Sequence, residues 1–364
     1  MARTRCSARE SGGVSGASYC GGMPSDDLEL KLGLETTRTA LAVAFGGPEA
    51  HERASQAGIV PVRASNKLFV FSDPHKSKQH GYNFDGWAEA DEAGAVFDYT
   101  GTGPVGHQVL TGLNGTLLNH VAQGLELHLF ISDGYVKPGG AKLQRYVGQM
   151  TVDSVVPYTE RWDHDPQGTL RRVYVFRLRP VDPQQTDIRP DDSVQPAQET
   201  SVLPIPAKVE EPAKPGVKSK KTEKHSTSQT TATVAGGERT VNRREGQLVT
   251  AFEEHLEKAG HTYSSFQITV AGERTTLTPD LYDETDHVLY EAKGLTTRPN
   301  IRMAIGQLAD YRRHLDKPET LRVAVLLPSE PTPDEKAILE AEGVALVFQT
   351  DNGFAGFPLP VDPA

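Results

Sequence analysis

From residue 182 to residue 240 the chain carries no Phe, Tyr or Trp and turns instead to Pro, Gln, Asp, Thr, Ser and Lys. A segment of that kind buries too little apolar surface to offset the entropy of ordering it. It therefore divides the 364 residues into two stretches that must each build a core, and it reads as a flexible linker. Two domains with tails is also what this length implies. The Lys cluster at 214–224 is a solvated run in the simplest reading, with contact to DNA phosphates as the alternative.

Several classes of protein are excluded at once. No run approaches the roughly 18 apolar residues that a membrane-spanning helix needs. No apolar stretch follows the basic residues at the N-terminus, as a secretory signal requires. The two cysteines, Cys6 and Cys20, lie in a Gly/Ser-rich start, so neither a disulfide framework nor a cysteine zinc site is expected. A cytoplasmic location follows as the expectation. Residues 1–22 read as a disordered tail, and Met23 is an alternative start because pattern begins only after it. The formal net charge of -10 does not advertise nucleic-acid binding. A nuclease, however, clusters carboxylates around its metal and keeps basic residues elsewhere, so total charge says little about one face.

In the first stretch, Leu28, Leu32, Leu41, Val43 and Phe45 recur at helical spacing and predict a short helix ended by Gly46-Gly47, within a small helical head assigned to 23–58. Residues 59–181 alternate short apolar runs with Gly, Asp, Asn and Pro. Strands are expected at 68–71, 96–99, 126–131, 145–155 and 172–178, with a helix between 114 and 123. The sum is a compact α+β domain on a curled β-sheet or small barrel.

The second stretch, 241–350, gives an amphipathic helix at 245–259 that Gly260 stops. Strands follow at 262–270, 276–282 and 287–293, a helix at 301–315, a strand at 321–327, a helix at 333–342 and a strand at 344–348. Residues 351–364 read as a tail. Here Pro279-Asp280 leads through a short turn to Glu291-Ala292-Lys293. Glu291 and Lys293 stand two apart on a strand and so share a face. A hairpin can bring Asp280 beside Glu291. Two carboxylates at a sheet edge can hold Mg²⁺, with Mn²⁺ as a substitute, since both take oxygen ligands. Lys293 would orient the attacking water or stabilise developing charge. Val288, Leu289 and Tyr290 make a buried approach to this charged end, and Glu245 on the preceding helix can complete the metal shell. Arg298, Arg302 and Arg312 are candidate phosphate contacts, or solvated helix charges.

The order Glu245, Pro279-Asp280, Glu291-Ala292-Lys293, then Gln307-Leu308-Ala309-Asp310-Tyr311 resembles the PD-(D/E)XK nuclease superfamily in its restriction-enzyme and RecB-like branches. The resemblance covers about 240–350. It implies an α/β restriction-endonuclease-like domain in which Glu245, Asp280 and Glu291 bind metal and Lys293 is catalytic. Gln307 and Tyr311 would support the site or touch the DNA backbone.

The densest aromatic cluster is His80-Gly81-Tyr82-Asn83-Phe84-Asp85-Gly86-Trp87, followed by Phe97-Asp98-Tyr99-Thr100-Gly101-Thr102-Gly103. Tyr82 and Trp87 beside glycine turns can make a stacking slot for a flipped base, and Asp85 or Asp98 could accept the exocyclic amine of cytosine. The alternative is that Trp87, Phe97 and Tyr99 are core residues. With Asn114, His120, Leu127-His128-Leu129-Phe130 and Val175-Phe176-x-Leu178-x-Pro180, these motifs resemble the SRA-like (PUA-like) domain of ScoMcrA-type modification-dependent restriction nucleases. That resemblance implies a pocket, with Tyr82, Asp85, Trp87, Asp98 and Tyr99 as its candidates, that binds double-stranded DNA carrying modified cytosine. The glycine loop departs from the family. Gly101-Thr102-Gly103-Pro104-Val105-Gly106-His107-Gln108 lacks the acidic residues usual there, and the base preference is correspondingly open. No HNH nuclease partner is visible, and His107 and His120 read as structural.

Together these readings describe a type IV-like restriction endonuclease: a reader of modified DNA tethered to a Mg²⁺-dependent cutter. A free tether would scatter cuts at loosely defined distances, and double-strand cutting would take a homodimer on DNA. The rivals are a repair or replication nuclease indifferent to modification, and a non-catalytic reader.

Overall fold

The computed structural model describes residues 28–46, 57–74, 84–207 and 238–360. The expected N-terminal tail, the Lys cluster and Tyr82 lie outside them.

The first unit contains β1 (Glu35–Thr37), α1 (Arg38–Leu41), β2 (Ile59–Val62), β3 (Lys67–Ser72), β4 (Gly86–Trp87) and β5 (Phe97–Thr100). It continues with α2 (Gly112–Leu118), β6 (Glu126–Tyr135), β7 (Lys142–Val152), β8 (Tyr158–His164) and β9 (Leu170–Pro180). Its sheet runs in the order β2-β3-β6-β7-β9-β5-β4, with β1 on β7 and β8 on β9. Only β3 and β6 pair in parallel; every other described pairing in this sheet is antiparallel. The unbroken apolar run of β3 has a simple cause. Leu68 and Val70 enter one core while Phe69 and Phe71 enter another on the opposite face, and a strand covered on both faces needs no polar alternation.

The expected helical head is instead part of this sheet. Glu35, Thr36 and Thr37 pair with Arg145, Gln144 and Leu143, and only the four-residue α1 and a short π turn to Gly46 follow. β8 was not anticipated. Its sequence, Tyr-Thr-Glu-Arg-Trp-Asp-His, carries charges on both faces because it runs along an edge, with β9 as its one strand partner among the described residues.

The second unit contains β10 (Ser201–Ile205), α3 (Glu238–Ala259), β11 (Tyr263–Thr269), β12 (Thr276–Leu277), β13 (Leu281–Asp283) and β14 (Val288–Ala292). After these come α4 (Arg298–Arg312), β15 (Arg322–Leu327), α5 (Pro333–Ala341), β16 (Ala345–Thr350) and β17 (Gly353–Ala355). The order is β10-β11-β13-β14-β15-β16-β17, with β12 on β11. β14, β15 and β16 are parallel, joined by α4 and α5. Helices cover both faces. Leu248, Phe252 and Leu256 of α3 pack on Val288, Tyr290 and Ala292. Ile301, Ala304 and Leu308 of α4 pack with Leu289 and Val325 on the other side. A capping box between Thr332 and Glu335, with Pro333 in the first turn, starts α5.

Two boundaries differ from expectation. Residues 182–207, read as linker, are built into the fold, and β10 adds antiparallel to β11. A strand held by main-chain hydrogen bonds needs little apolar content of its own. Residues 351–360, read as tail, return β17 to β16 and place Phe354 and Phe357 against Phe252, with centroids at 4.9 and 5.7 Å. Among the described residues no helix is long and apolar enough to cross a membrane.

Candidate functional site

At the C-terminal end of β14 the alternation of the strand decides what meets. Leu289 and Glu291 face α4, while Val288, Tyr290 and Ala292 face α3. Glu291 and Lys293 are both buried, at 3% and 5% exposure, and Lys293 donates to Glu291 Oε1 at 2.7 Å. Asp280, just before β13, accepts the Ala292 amide at 2.7 Å through Oδ2. Glu245, one turn before Leu248 on α3, accepts the Gly294 amide at 3.2 Å. The expected carboxylates and the lysine therefore do converge.

Their electrostatics is strained in one direction. Burial, then the charge of Glu245, raises Asp280 above the usual carboxylate range. Burial, then Asp280, raises Glu291, against the opposing pull of Lys293. Glu291 Oε2 is buried with no hydrogen-bond partner. Buried carboxylates that repel one another and leave an oxygen unsatisfied are a donor set suited to a hard divalent cation. The group fits Mg²⁺ on these grounds.

Gln307 and Tyr311 sit one turn apart on α4, and Gln307 Nε2 donates to the Tyr311 hydroxyl at 3.2 Å. Tyr311 is buried at 6%, so it lies beneath the centre, where it can support the site, and does not reach outward as a contact to the DNA backbone. Burial, then Glu291, pushes its hydroxyl up. Arg302 and Arg312 are exposed on α4, whereas Arg298 pairs with Asp334 of α5. Beside Glu245 a groove is lined by Arg244, Gln247, Leu248, Pro328 and Gln349, at the carboxyl ends of the parallel strands. Ligands of open α/β sheets gather at such ends.

In the first unit the candidate pocket residues divide. Trp87 and Tyr99 are core residues, both 3% exposed, and Trp87 lies edge-on to Phe97 at 5.3 Å. Neither ring lines an open slot. Asp85 and Asp98 do meet, but in a buried polar cluster. Ser72 Oγ donates to Asp85 at 2.6 Å and the Thr100 amide at 2.8 Å. Burial raises the Asp85 carboxyl to about 6 against these two donors. Arg161 of β8 stands 3.6 Å from Asp98 and 5.2 Å over Phe84. Burial raises Asp98 too, opposed first by Arg161. Asp98 Oδ1 is buried without a hydrogen-bond partner. Ser72, Thr100 and Arg161 were not anticipated as part of this group; Arg161 was hidden because its strand was. The glycine loop is locked from inside. Asn114 clasps Thr102 through both its amide and carbonyl, and Gln108 bridges Gly101 and Tyr174. His107 accepts the Arg172 amide and His120 is held at Leu117, consistent with structural roles.

The family model of the ScoMcrA-like SRA domain matches residues 34–201. The N-terminal unit is an SRA-like domain. Among solved structures, the sulfur binding domain and SRA domain of ScoMcrA complexed with phosphorothioated DNA is 24% identical, with 46% of this chain and 44% of that one covered and a TM-score of 0.31. The type IV phosphorothioation-dependent restriction endonuclease ScoMcrA is 25% identical, over 45% of this chain and 29% of that one, with a TM-score of 0.30. A complex of the SUVH5 SRA domain with fully methylated CG DNA is 23% identical, over 44% of this chain and 94% of that one, at 0.28. The chain thus spans less than half the length of the first two structures. No curated protein matches it. The family match to the SRA-like domain stops before β11, so the carboxylate centre of the second unit stands on its own geometry.

Proposed function

We propose that the chain is a Mg²⁺-dependent DNA endonuclease that reads modified cytosine with its SRA-like domain and hydrolyses phosphodiester bonds nearby, restricting foreign modified DNA. The observation that carries the cutting half is the meeting of Asp280, Glu291 and Lys293 at one strand end, with a buried Glu291 oxygen left unsatisfied. The family match of residues 34–201 supports the reading half.

Glu245, Asp280 and Glu291 would hold the metal, with Mn²⁺ as a substitute. When bound, it supplies a water of lowered pKa and neutralises charge on the scissile phosphate. Lys293, already hydrogen-bonded to Glu291, orients the attacking water and meets the charge that develops on the phosphate. Gln307 and Tyr311 hold the helix side of the centre. Arg302, Arg312 and the groove at Arg244 and Gln247 take backbone phosphates. In the SRA-like domain, the buried cluster of Asp85, Asp98 and Arg161 supplies the polar groups for a base turned out of the duplex, and it must open to admit one. Cutting both strands takes two centres, so the acting species is a homodimer on double-stranded DNA.

The test is a digestion panel. Unmodified, 5-methylcytosine, 5-hydroxymethylcytosine, glucosylated and phosphorothioate DNA are each offered with Mg²⁺, Mn²⁺ and EDTA. Cleavage confined to one or more modified substrates, and abolished by EDTA and by Lys293→Ala, is expected. No cleavage of any substrate removes the enzyme, and equal cleavage of all removes the reader.

A further inference from the structure

β8 is an edge strand, and an edge leaves main-chain N–H and C=O groups without a neighbour. At Trp162 both are taken by one side chain from the other unit. The Trp162 amide donates to Gln267 Oε1 at 2.7 Å, and Gln267 Nε2 donates to the Trp162 carbonyl at 2.9 Å. Gln267, on β11, is 6% exposed and Trp162 7%. A side-chain amide thus stands in for a missing strand and joins the two sheets.

The connecting segment repeats the joint with no slack. Arg145 of β7 binds Asp187 and Asp192, and the Val194 amide donates to the Trp87 carbonyl at 3.0 Å. Three residues later, Ala197 donates to the Glu273 carbonyl at 2.8 Å and accepts the Gly272 amide at 2.9 Å. Three steps of chain reach about 11 Å at most. β10 then runs directly into the second sheet.

We propose that Gln267 and the Ala197 joint lock the SRA-like domain to the second unit, so that Gln267 acts as a positioning residue that sets where DNA is cut relative to the base being read. This rests on the nuclease reading above, but the lock itself does not. A rigid pair of sites holds one duplex in one frame, which fixes the offset between modified base and broken bond. A tether of the same length would spread that offset over many nucleotides.

Two measurements on the full chain separate the lock from the chemistry. With Cys6 and Cys20 changed to Ser, nitroxide labels at Val121→Cys and Glu340→Cys report the distance between units by double electron–electron resonance. One narrow distribution is expected, broadened by Gln267→Ala combined with Ala197→Pro, which leaves one of the four hydrogen bonds. Cut ends are then mapped on DNA with a single modified cytosine. A fixed offset, scattered by the double variant while total cleavage stays within about twofold, supports the assignment. A broad distribution in the parent chain, or scattered cuts despite a narrow one, overturns it. A narrow distribution without cleavage of any substrate overturns the nuclease reading and leaves the lock standing.

Discussion

Lys293 and Glu291 show how one residue's worth depends on its neighbour two positions away. Their shared face follows from strand alternation, but their 2.7 Å contact depends on burial by α4. Lys293→Ala is expected to lower the cleavage rate at least 100-fold while binding of modified DNA, measured by mobility shift, is unchanged. Equal loss of both would assign Lys293 a structural role. Asp85 offers a pH test. Its carboxyl rises from 3.8 to about 6 in the folded chain, so the folded form holds its proton more tightly than the unfolded form. Its contribution to stability is greatest below pH 4 and declines as pH rises to about 6. Asp85→Asn keeps an acceptor for the Thr100 amide and removes the buried charge. Thermal melts should show the variant gaining up to about 3 kcal/mol relative to the parent between pH 4 and pH 8; a constant difference across that range would refute the assignment.

Some elements are held in place by a few well-placed groups. The segment 187–194 crosses the SRA-like sheet because Arg145, 1% exposed, binds Asp187 and Asp192 and lies 3.3 Å from Asp133. Close passage is possible only because residue 86 is glycine. Its φ is +143°, and a Cβ there would lie 2.6 Å from the Val194 nitrogen. Arg145→Ala would take the guanidinium away from the buried Asp192 and from Asp187 and is expected to destabilise the chain by about 3–5 kcal/mol, read from chemical denaturation. A loss under 1 kcal/mol would mean that the segment is held elsewhere. The strands of the second unit were largely legible because β14 and β15 are apolar runs between punctuation, and Gly260, at φ +82°, marked the end of α3. β8, β10 and β17 were not legible, since their pairing rests on main-chain bonds that side-chain pattern does not encode.

For the whole molecule, reading and cutting should be separable in chemistry although locked in space. EDTA is expected to abolish cleavage and leave the affinity for modified DNA within about twofold, as measured by fluorescence anisotropy. Parallel loss of affinity would place the metal in the reading site. The net charge of -10 sets a second expectation. Affinity must come from local basic groups such as Arg244, Arg302 and Arg312, so the slope of log K against log salt should flatten by about one for each Arg→Ala change that removes a phosphate contact.

The sequence by itself determined which side chains could do chemistry at the end of β14, because a two-residue repeat fixes a shared face wherever a strand forms. It also held the motifs of the SRA-like domain. It did not determine that Trp87 and Tyr99 are core, that Arg161 joins Asp98, or that Gln267 ties the two sheets. Arg161 and Asp98 are 63 residues apart and Gln267 and Trp162 are 105 apart, and only packing decides which distant surfaces meet. The absence of aromatics over 182–240 suggested a linker, yet its first part is ordered: β10 bonds to β11, and Val194 and Ile205 are buried.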